Sequence, residues 1–314
     1  MRSLLCPASL LLLCATALLP SCSTPAVSRL PDIMAPHATR LAQVPARAPL
    51  IRCSMGLPLV RAKINGKHDA VFLFDTGAST AILSPRLIKK AKLVELPVSF
   101  DHFGAKQGFY EVETLDLGEI NLEQFLATND ARGILDDFSS SIGTRVDGVL
   151  SLSNFNDLLV TADFRRYELR FEPGQLARGA RGTERSRSDA GRPVIKIEFA
   201  DASSHLNRPF IIDTGGAGGL QFSIKQGTLP FAAVPLGTTD YRTYYGDNRY
   251  RTLRLDGTAR IGAAILRSPQ VELHDSGTDV LGEHFGTAGM RALHGLVLTF
   301  DSERNLVRIA DGKS

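Results

Sequence analysis

The sequence predicts an all-β protein of two pseudo-twofold-related, β-rich lobes with short helices. Two observations carry that prediction. The apolar run Phe72-Leu73-Phe74 stops at Asp75-Thr76-Gly77-Ala78-Ser79, and the pattern returns as Phe210-Ile211-Ile212 followed by Asp213-Thr214-Gly215-Gly216-Ala217. Short apolar runs cut off by a turn read as buried strands. Each glycine lets the chain reverse with no Cβ in the way. At average residue usage, two Asp-Thr-Gly triplets arise by chance in on the order of one chain of this length in several hundred. The second observation is that the flanks repeat too. Pro58 to Ile64 and Pro193 to Phe199 are strand-like runs ahead of each acid. Val146-Asp147-Gly148-Val149-Leu150 follows the first acid, and Thr278-Asp279-Val280-Leu281-Gly282 the second. Each half closes with two strand-like runs: Leu158 to Phe164 with Glu168 to Phe171, and Leu296 to Phe300 with Leu306 to Ala310. Self-similarity on this scale sets the architecture before any local assignment does.

Taken in order, the chain opens with Arg2 and apolar residues at Leu4-Leu5, Leu10 to Leu13 and Ala17 to Leu19. That core is short for a bilayer span and reads as a signal peptide over residues 1–21. Leu19-Pro20-Ser21-Cys22 resembles a bacterial lipoprotein cleavage box, with proline an imperfect fit. Cys22 is therefore the expected lipidation site. The body is then expected in the cell envelope, lipid-anchored and facing the periplasm or exterior. An ordinary secretory signal cleaved nearby is the other reading. Residues 22–48, rich in Ala, Pro and Ser with no sustained period, read as a tether. Cys6 and Cys14 depart with the signal and Cys53 is left without a partner, so no intramolecular disulfide is expected.

The first lobe is expected over residues 49–173. Ser84-Pro85 reads as a helix N-cap and first-turn proline, opening a helix over Arg86 to Lys92. Phe100 to Tyr110 sets Gly104 and Gly108 between strand-like flanks, a hairpin pattern, and Leu115 to Leu122 reads as a tighter one. Residues 174–192 hold Arg178, Arg181, Arg185, Arg187 and Arg192 among Gly, Ala and Ser. They read as a solvated linker, or as a contact for anionic lipid head groups. The second lobe is expected over residues 193–314. Within it, Tyr241 to Asn248 reads as a surface turn, with Tyr245 and Gly246 as candidate substrate contacts.

Composition narrows the chemistry. The 314 residues are 43% hydrophobic and 22% charged, an ordinary globular balance with length for two domains. A net charge of +3 and no tryptophan leave no nucleic-acid footprint, so no nucleic-acid partner is expected. The seven histidines include no His-Glu-x-x-His, and Glu283-His284 has no partner at helical spacing. No metal and no cofactor are expected. There is no Gly-x-Ser-x-Gly elbow. Gly312-Lys313-Ser314 lacks the leading glycine of a phosphate loop, and the glycines from Gly215 to Gly219 lack the βαβ setting of a dinucleotide site.

Asp-Thr-Gly-Ala-Ser at the end of an apolar strand, with two apolar residues beside a glycine far downstream, resembles the aspartic proteases. One copy in each half is similar to the bilobal pepsin-type layout. The short lobes resemble retroviral-type protease subunits joined in tandem. The resemblance covers roughly Leu57 to Ala310, and it departs at Gly216 and Ala217, which replace the usual small hydroxyl residues. It implies an acid-protease fold and an aspartic endopeptidase acting on polypeptides, a monomer with one active site between its lobes. Asp75 and Asp213 would be the catalytic pair. Thr76 and Thr214 would brace the two loops, and Gly77 and Gly215 would let the backbones approach. A hairpin at Phe103-Gly104 would be the flap over substrate. Tyr245-Gly246 is similar to a flap, although in pepsin-like enzymes the flap tyrosine lies in the first lobe.

Two carboxylates at close range share one proton near neutrality. The ionised member can activate water and the protonated one can donate to the substrate carbonyl. Two rivals stay open. One is a non-catalytic periplasmic peptide-binding or scaffold protein on the same fold. The other is a protease in which only first lobes act, paired between two chains; the second acid weighs against it.

Overall fold

The computed structural model describes residues 10–12, 35–102, 105–201, 205–223, 231–243, 246–274 and 286–311. It is an all-β molecule of two lobes with short helices, as the sequence predicts.

Each lobe is organised around an antiparallel pair that feeds an acid-bearing loop. In the first, Leu59–Ile64 pairs with His68–Phe74. Burial along His68–Phe74 becomes continuous at Phe72, Leu73 and Phe74, where the strand is central, paired on its other edge with Gly148–Leu150. Strands covered on both faces are apolar throughout, which is why this run lost its alternation. In the second lobe, Arg192–Ala200 and His205–Ile212 repeat the pair, and Phe210, Ile211 and Ile212 are equally buried. Phenylalanines fill the space behind both loops. Phe155 packs on Phe74 and Phe171 with ring centroids 6.3 and 4.8 Å apart. Phe199, Phe210 and Phe222 contact one another at 5.1 to 5.5 Å. Such pairs add about 0.5–1.5 kcal/mol each beyond the area they bury.

The second lobe corrects one expectation. Val280-Leu281-Gly282 lies outside the described residues, and the strand parallel to Phe210–Ile212 is Gly286–Ala288. Gly286 follows Gly148 by the same 138 residues that separate Thr76 from Thr214. Both glycines are required by close approach of the neighbouring strand. A Cβ on Gly148 would lie 2.6 Å from the carbonyl oxygen of Ile82, and one on Gly286 would run into that of Gln221.

A shared sheet joins the halves. Its strands run in the order Thr183–Arg185, Leu306–Asp311, Leu296–Asp301, Leu159–Asp163, Glu168–Glu172 and Ala46–Ile51. At its centre Leu159–Asp163 meets Leu296–Asp301 antiparallel, and the hydroxyls of Thr161 and Thr299 lie 3.0 Å apart. An antiparallel pair of equivalent strands has a local twofold at its midpoint, so this contact marks the pseudo-twofold axis. Val160, Ala162, Leu298 and Phe300 point from these strands into the core.

The same sheet shifts the expected boundaries. Ala38–Leu41 pairs with Ile120–Asn129, and Ala46–Ile51 with Glu168–Glu172, so residues 38–48 belong to the folded body rather than the tether. Ala46, Ala48 and Leu50 alternate as buried positions, a pattern that small alanines conceal in the sequence. Part of the expected linker is also structured. Thr183–Arg185 pairs with Leu306–Asp311, Arg187–Asp189 pairs with Arg192–Ala200, and Arg192 is buried. Leu10–Leu12, inside the expected signal segment, lies parallel to Tyr241–Thr243.

The helix Pro85–Ala91 has the predicted start: Ser84 Oγ accepts the Leu87 N–H at 3.2 Å, and Lys92 ends it at φ 51°. A second helix, Ile134–Ile142, has no cap signal in the sequence. Asp130, five residues upstream of Leu135, accepts its N–H at 2.7 Å instead.

Replacing Gly286 with Ala is expected to destabilise the protein by about 1–3 kcal/mol or more, the range for forced overpacking. Urea denaturation measures it. Unchanged stability would show that Gly286–Ala288 is not packed as described.

Candidate active site

Each acid sits where its central strand leaves the core. The Asp75 N–H donates to Leu150 O at 2.8 Å and the Asp213 N–H to Ala288 O at 3.0 Å. The parallel strand therefore fixes the backbone of the acid itself. Both residues are fully buried, as are Thr76 and Thr214.

The two loops are bound to each other by exchange. Thr76 Oγ1 donates to Ile212 O at 2.6 Å and accepts the Thr214 N–H at 3.1 Å. Thr214 Oγ1 donates to Phe74 O at 2.7 Å and accepts the Thr76 N–H at 3.0 Å. A hydroxyl offers one proton and two lone pairs, so each threonine can serve a donor and an acceptor at once. Valine has the same shape and can do neither.

The glycines then bring the carboxyls together. Asp75 Oδ1 accepts the Gly77 N–H at 2.7 Å, and Asp213 Oδ1 accepts the Gly216 N–H at 2.9 Å. A Cβ on Gly77 would stand 2.6 Å from Asp213 Oδ1, and one on Gly215 would stand 2.6 Å from Asp75 Oδ1. Each loop thus passes over the other lobe's acid. Burial, then the charge of Asp213, push the Asp75 pKa well above the ordinary aspartate range, and the N–H groups of Gly77 and Gly215 oppose this. Asp75 Oδ2 is buried with no hydrogen-bond partner among the described residues. A proton between the two acids answers both facts: it pairs the orphan oxygen and removes one of two adjacent charges.

Residues 60–153 match the aspartyl protease family. That segment is similar to an aspartyl protease domain. No curated protein matches the chain. The matched segment holds Asp75, Thr76 and Gly77, together with Gly148 and the strand that it opens. Asp213, Thr214 and Gly215 lie beyond it, and the pseudo-twofold brings them to the same place.

The other expected site residues fare differently. In the first lobe Glu95–His102 pairs with Ala105–Asp116 as a hairpin, and Phe103 and Gly104 lie outside the described residues. Ala233–Thr243 and Gly246–Leu255 form a second hairpin in which Gly246 pairs with Thr243. Tyr245 and Cys22 lie outside the described residues.

Two supporting groups were not legible in the sequence. Ser151 and Ser153 join hydroxyl to hydroxyl, and Ser153 Oγ donates to Ser79 O at 3.3 Å, tying the end of the first acid loop to the chain after Leu150. In the second lobe, Thr287 Oγ1 donates to Gln221 Oε1 at 3.0 Å and Gln221 Nε2 to Glu272 Oε2 at 2.8 Å. Arg291 Nη1 donates to Glu272 Oε1 at 2.6 Å. By strand register Thr287 and Gln221 stand where the first lobe has Val149 and Ile82. The network backs the glycines of the second loop: a Cβ on Gly218 would lie 2.5 Å from Gln221 Nε2. Only tertiary pairing joins these residues, so no local motif announces them.

The raised Asp75 pKa predicts how stability depends on pH. Folded Asp75 holds its proton to higher pH than the unfolded residue, so its contribution is full below about pH 4 and is lost as pH rises. Asn cannot ionise and escapes that loss. Asp75→Asn should therefore raise the thermal midpoint at pH 7, by about 2–4 °C for each ~1 kcal/mol gained. The gap over wild type should shrink toward pH 4. Calorimetry across that range checks it; a gap that widens on acidification contradicts the assignment.

Proposed function

We propose that the protein is an aspartic endopeptidase that hydrolyses peptide bonds with a water activated between Asp75 and Asp213. The observation that carries this reading is the threonine exchange, which holds two buried acids against each other's glycines. With one proton on the pair, the ionised acid takes a proton from water as its oxygen attacks the peptide carbonyl carbon. The protonated acid gives its proton to the carbonyl oxygen. As the tetrahedral intermediate collapses, a proton passes to the leaving amine nitrogen. The chain's own residues supply every proton transfer. In this reading the Glu95–Asp116 hairpin is the flap that closes over bound polypeptide, and one chain holds the whole site.

The reading extends to pH. Ala78 and Gly216 follow the two Asp-Thr-Gly triplets and have no side-chain donor. A hydroxyl at such a position can hydrogen-bond the carboxylate, favour its charged form and lower its pKa. Without it, and with Asp75 raised by burial and by Asp213, the singly protonated pair persists to higher pH. We also propose that Cys22 carries a lipid anchor and that the body faces the periplasm or exterior. The apolar segment ending in Leu-Pro-Ser-Cys supports this.

Asp75→Asn and Asp213→Asn should each lower cleavage of casein by at least about a thousandfold, on the scale of losing an essential acid or base, with native circular dichroism retained. Full activity in the Asp213→Asn protein would point to first lobes pairing between chains. No cleavage and no inhibition by a statine-type peptide in the wild type would favour a binding protein on this fold. The rate profile should peak at weakly acidic to near-neutral pH, and Ala78→Ser should move it lower. A wild-type optimum below about pH 4 would refute the argument from the missing hydroxyls. The profile reports the pair as two apparent values. Cys22→Ser should release the body from the membrane pellet on fractionation; a body that still sediments with membranes excludes lipidation there.

A further inference from the structure

The outer face of the shared sheet carries one short motif twice, at the 138-residue spacing: Asp163-x-x-Arg166 and Asp301-x-x-Arg304. In both, the acid ends its strand and accepts from the following turn. Asp163 Oδ1 accepts the N–H groups of Arg165 and Arg166 at 3.1 and 3.0 Å, and Asp301 Oδ1 that of Arg304 at 3.0 Å. Beyond this the two copies are used differently.

At the second copy the chain's own linker is seated. Asp301 Oδ2 accepts the Leu176 N–H at 2.8 Å, and Arg304 Nη1 donates to Leu176 O at 3.0 Å. The Leu176 side chain is buried against Leu159 and Leu306. A carboxylate and a guanidinium thus grip both backbone groups of one residue while an apolar notch takes its side chain.

At the first copy the matching acid and arginine border a cavity of about 350 Å³, lined by Asp163, Arg165, Arg166, Arg170, Val297, Ala310 and Asp311, and Glu168 stands where the second copy has Leu306. Val297 stands where the second copy has Leu159, by the same spacing. Arg166 folds back so that its Nη1 donates to Asp163 Oδ2 at 2.9 Å. The donor and acceptor that hold Leu176 at one site satisfy each other at the other. Arg170 Nε is buried without a hydrogen-bond partner among the described residues, its nearest carboxylate being Glu168 at 3.7 Å.

We propose that this cavity docks a segment of a partner polypeptide and reads it as the second copy reads Leu176. One residue of the partner places its N–H on Asp163 Oδ2, its C=O on Arg166 and an aliphatic side chain on Val297 and Ala310. The volume lies within the ~300–1,000 Å³ of small-ligand pockets, room for one residue and its flanks. The change required is a swing of Arg166, 71% exposed, off Asp163. Side chains alternate between the faces of a strand. Ala162 and Leu298 point to the core, so the cavity opens on the opposite face, away from the acid pair. The site is an anchor separate from the cleft.

The test uses a fluorescein-labelled peptide of residues 173–178, Pro-Gly-Gln-Leu-Ala-Arg, capped at both ends. It is titrated into the full chain in detergent and followed by polarisation. Excess statine-type peptide keeps the cleft occupied; if the protein is not a protease, the binding measurement stands unchanged. Saturable binding with a Kd of about 1 mM or tighter is expected. Arg166→Ala should weaken it at least tenfold, and Ala310→Arg, which fills the cavity, should do the same. Arg166→Lys, which keeps a charge for Asp163 but no guanidinium fork, replaces Ala310→Arg if that variant fails to fold. A peptide with Asp in place of Leu should not bind. Absence of saturable binding, or equal binding by the variants, overturns the proposal. So does inorganic phosphate that binds through Arg166 where the peptide does not, since that marks an anion site.

Discussion

The reciprocal exchange between Thr76 and Thr214 is the constraint on which the molecule depends. Ile212 O and Phe74 O are buried carbonyls whose donors lie in the opposite lobe. Loss of the two hydroxyls with the lobes still packed would strand both, together with two N–H groups, and each unsatisfied buried group costs about 1–3 kcal/mol. The interaction that joins the lobes is therefore the one that aligns the acids. Neither loop is complete without the other, and assembly of the fold and assembly of the site are one event.

That arrangement sets stability against chemistry. Two acids are driven into contact in a dry interior, where a charge is poorly tolerated. The surroundings hold them there without a disulfide among the described residues, where Cys53 is a free thiol. The restraint comes from packing: phenylalanine clusters behind both loops, strands that end on the acids' own N–H groups, and the shared sheet behind them.

Much of this was legible because the repeat is deep. Apolar lead-in, acid, threonine and glycine are local in sequence, so Asp75 and Asp213 could be named with their braces before any coordinates. The strand pairs that close each half were also legible, since their alternation survives. Legibility failed where the physical requirement is not apolarity. Gly286-Thr287-Ala288 fills its place through close approach at the glycine and a polar network at the threonine, so the more apolar Val280-Leu281-Gly282 drew attention instead. The strand Ala46–Ile51 went unread because alanine is a weak signal of burial. Gln221, Glu272 and Arg291 are brought together from three separate elements, and no window of sequence contains them.

That network also makes the two halves unlike. Were this molecule a pair of identical chains, every substitution would appear twice, and a charge buried on one side would be buried on both. A single chain that carries both halves is free of that constraint. Glu272 is fully buried in one half, while the matching position of the other is Thr128, beside an isoleucine and a valine. Each half is thus free to drift so long as the threonines still meet. The two acids, alike in motif, stand in different surroundings and are not interchangeable.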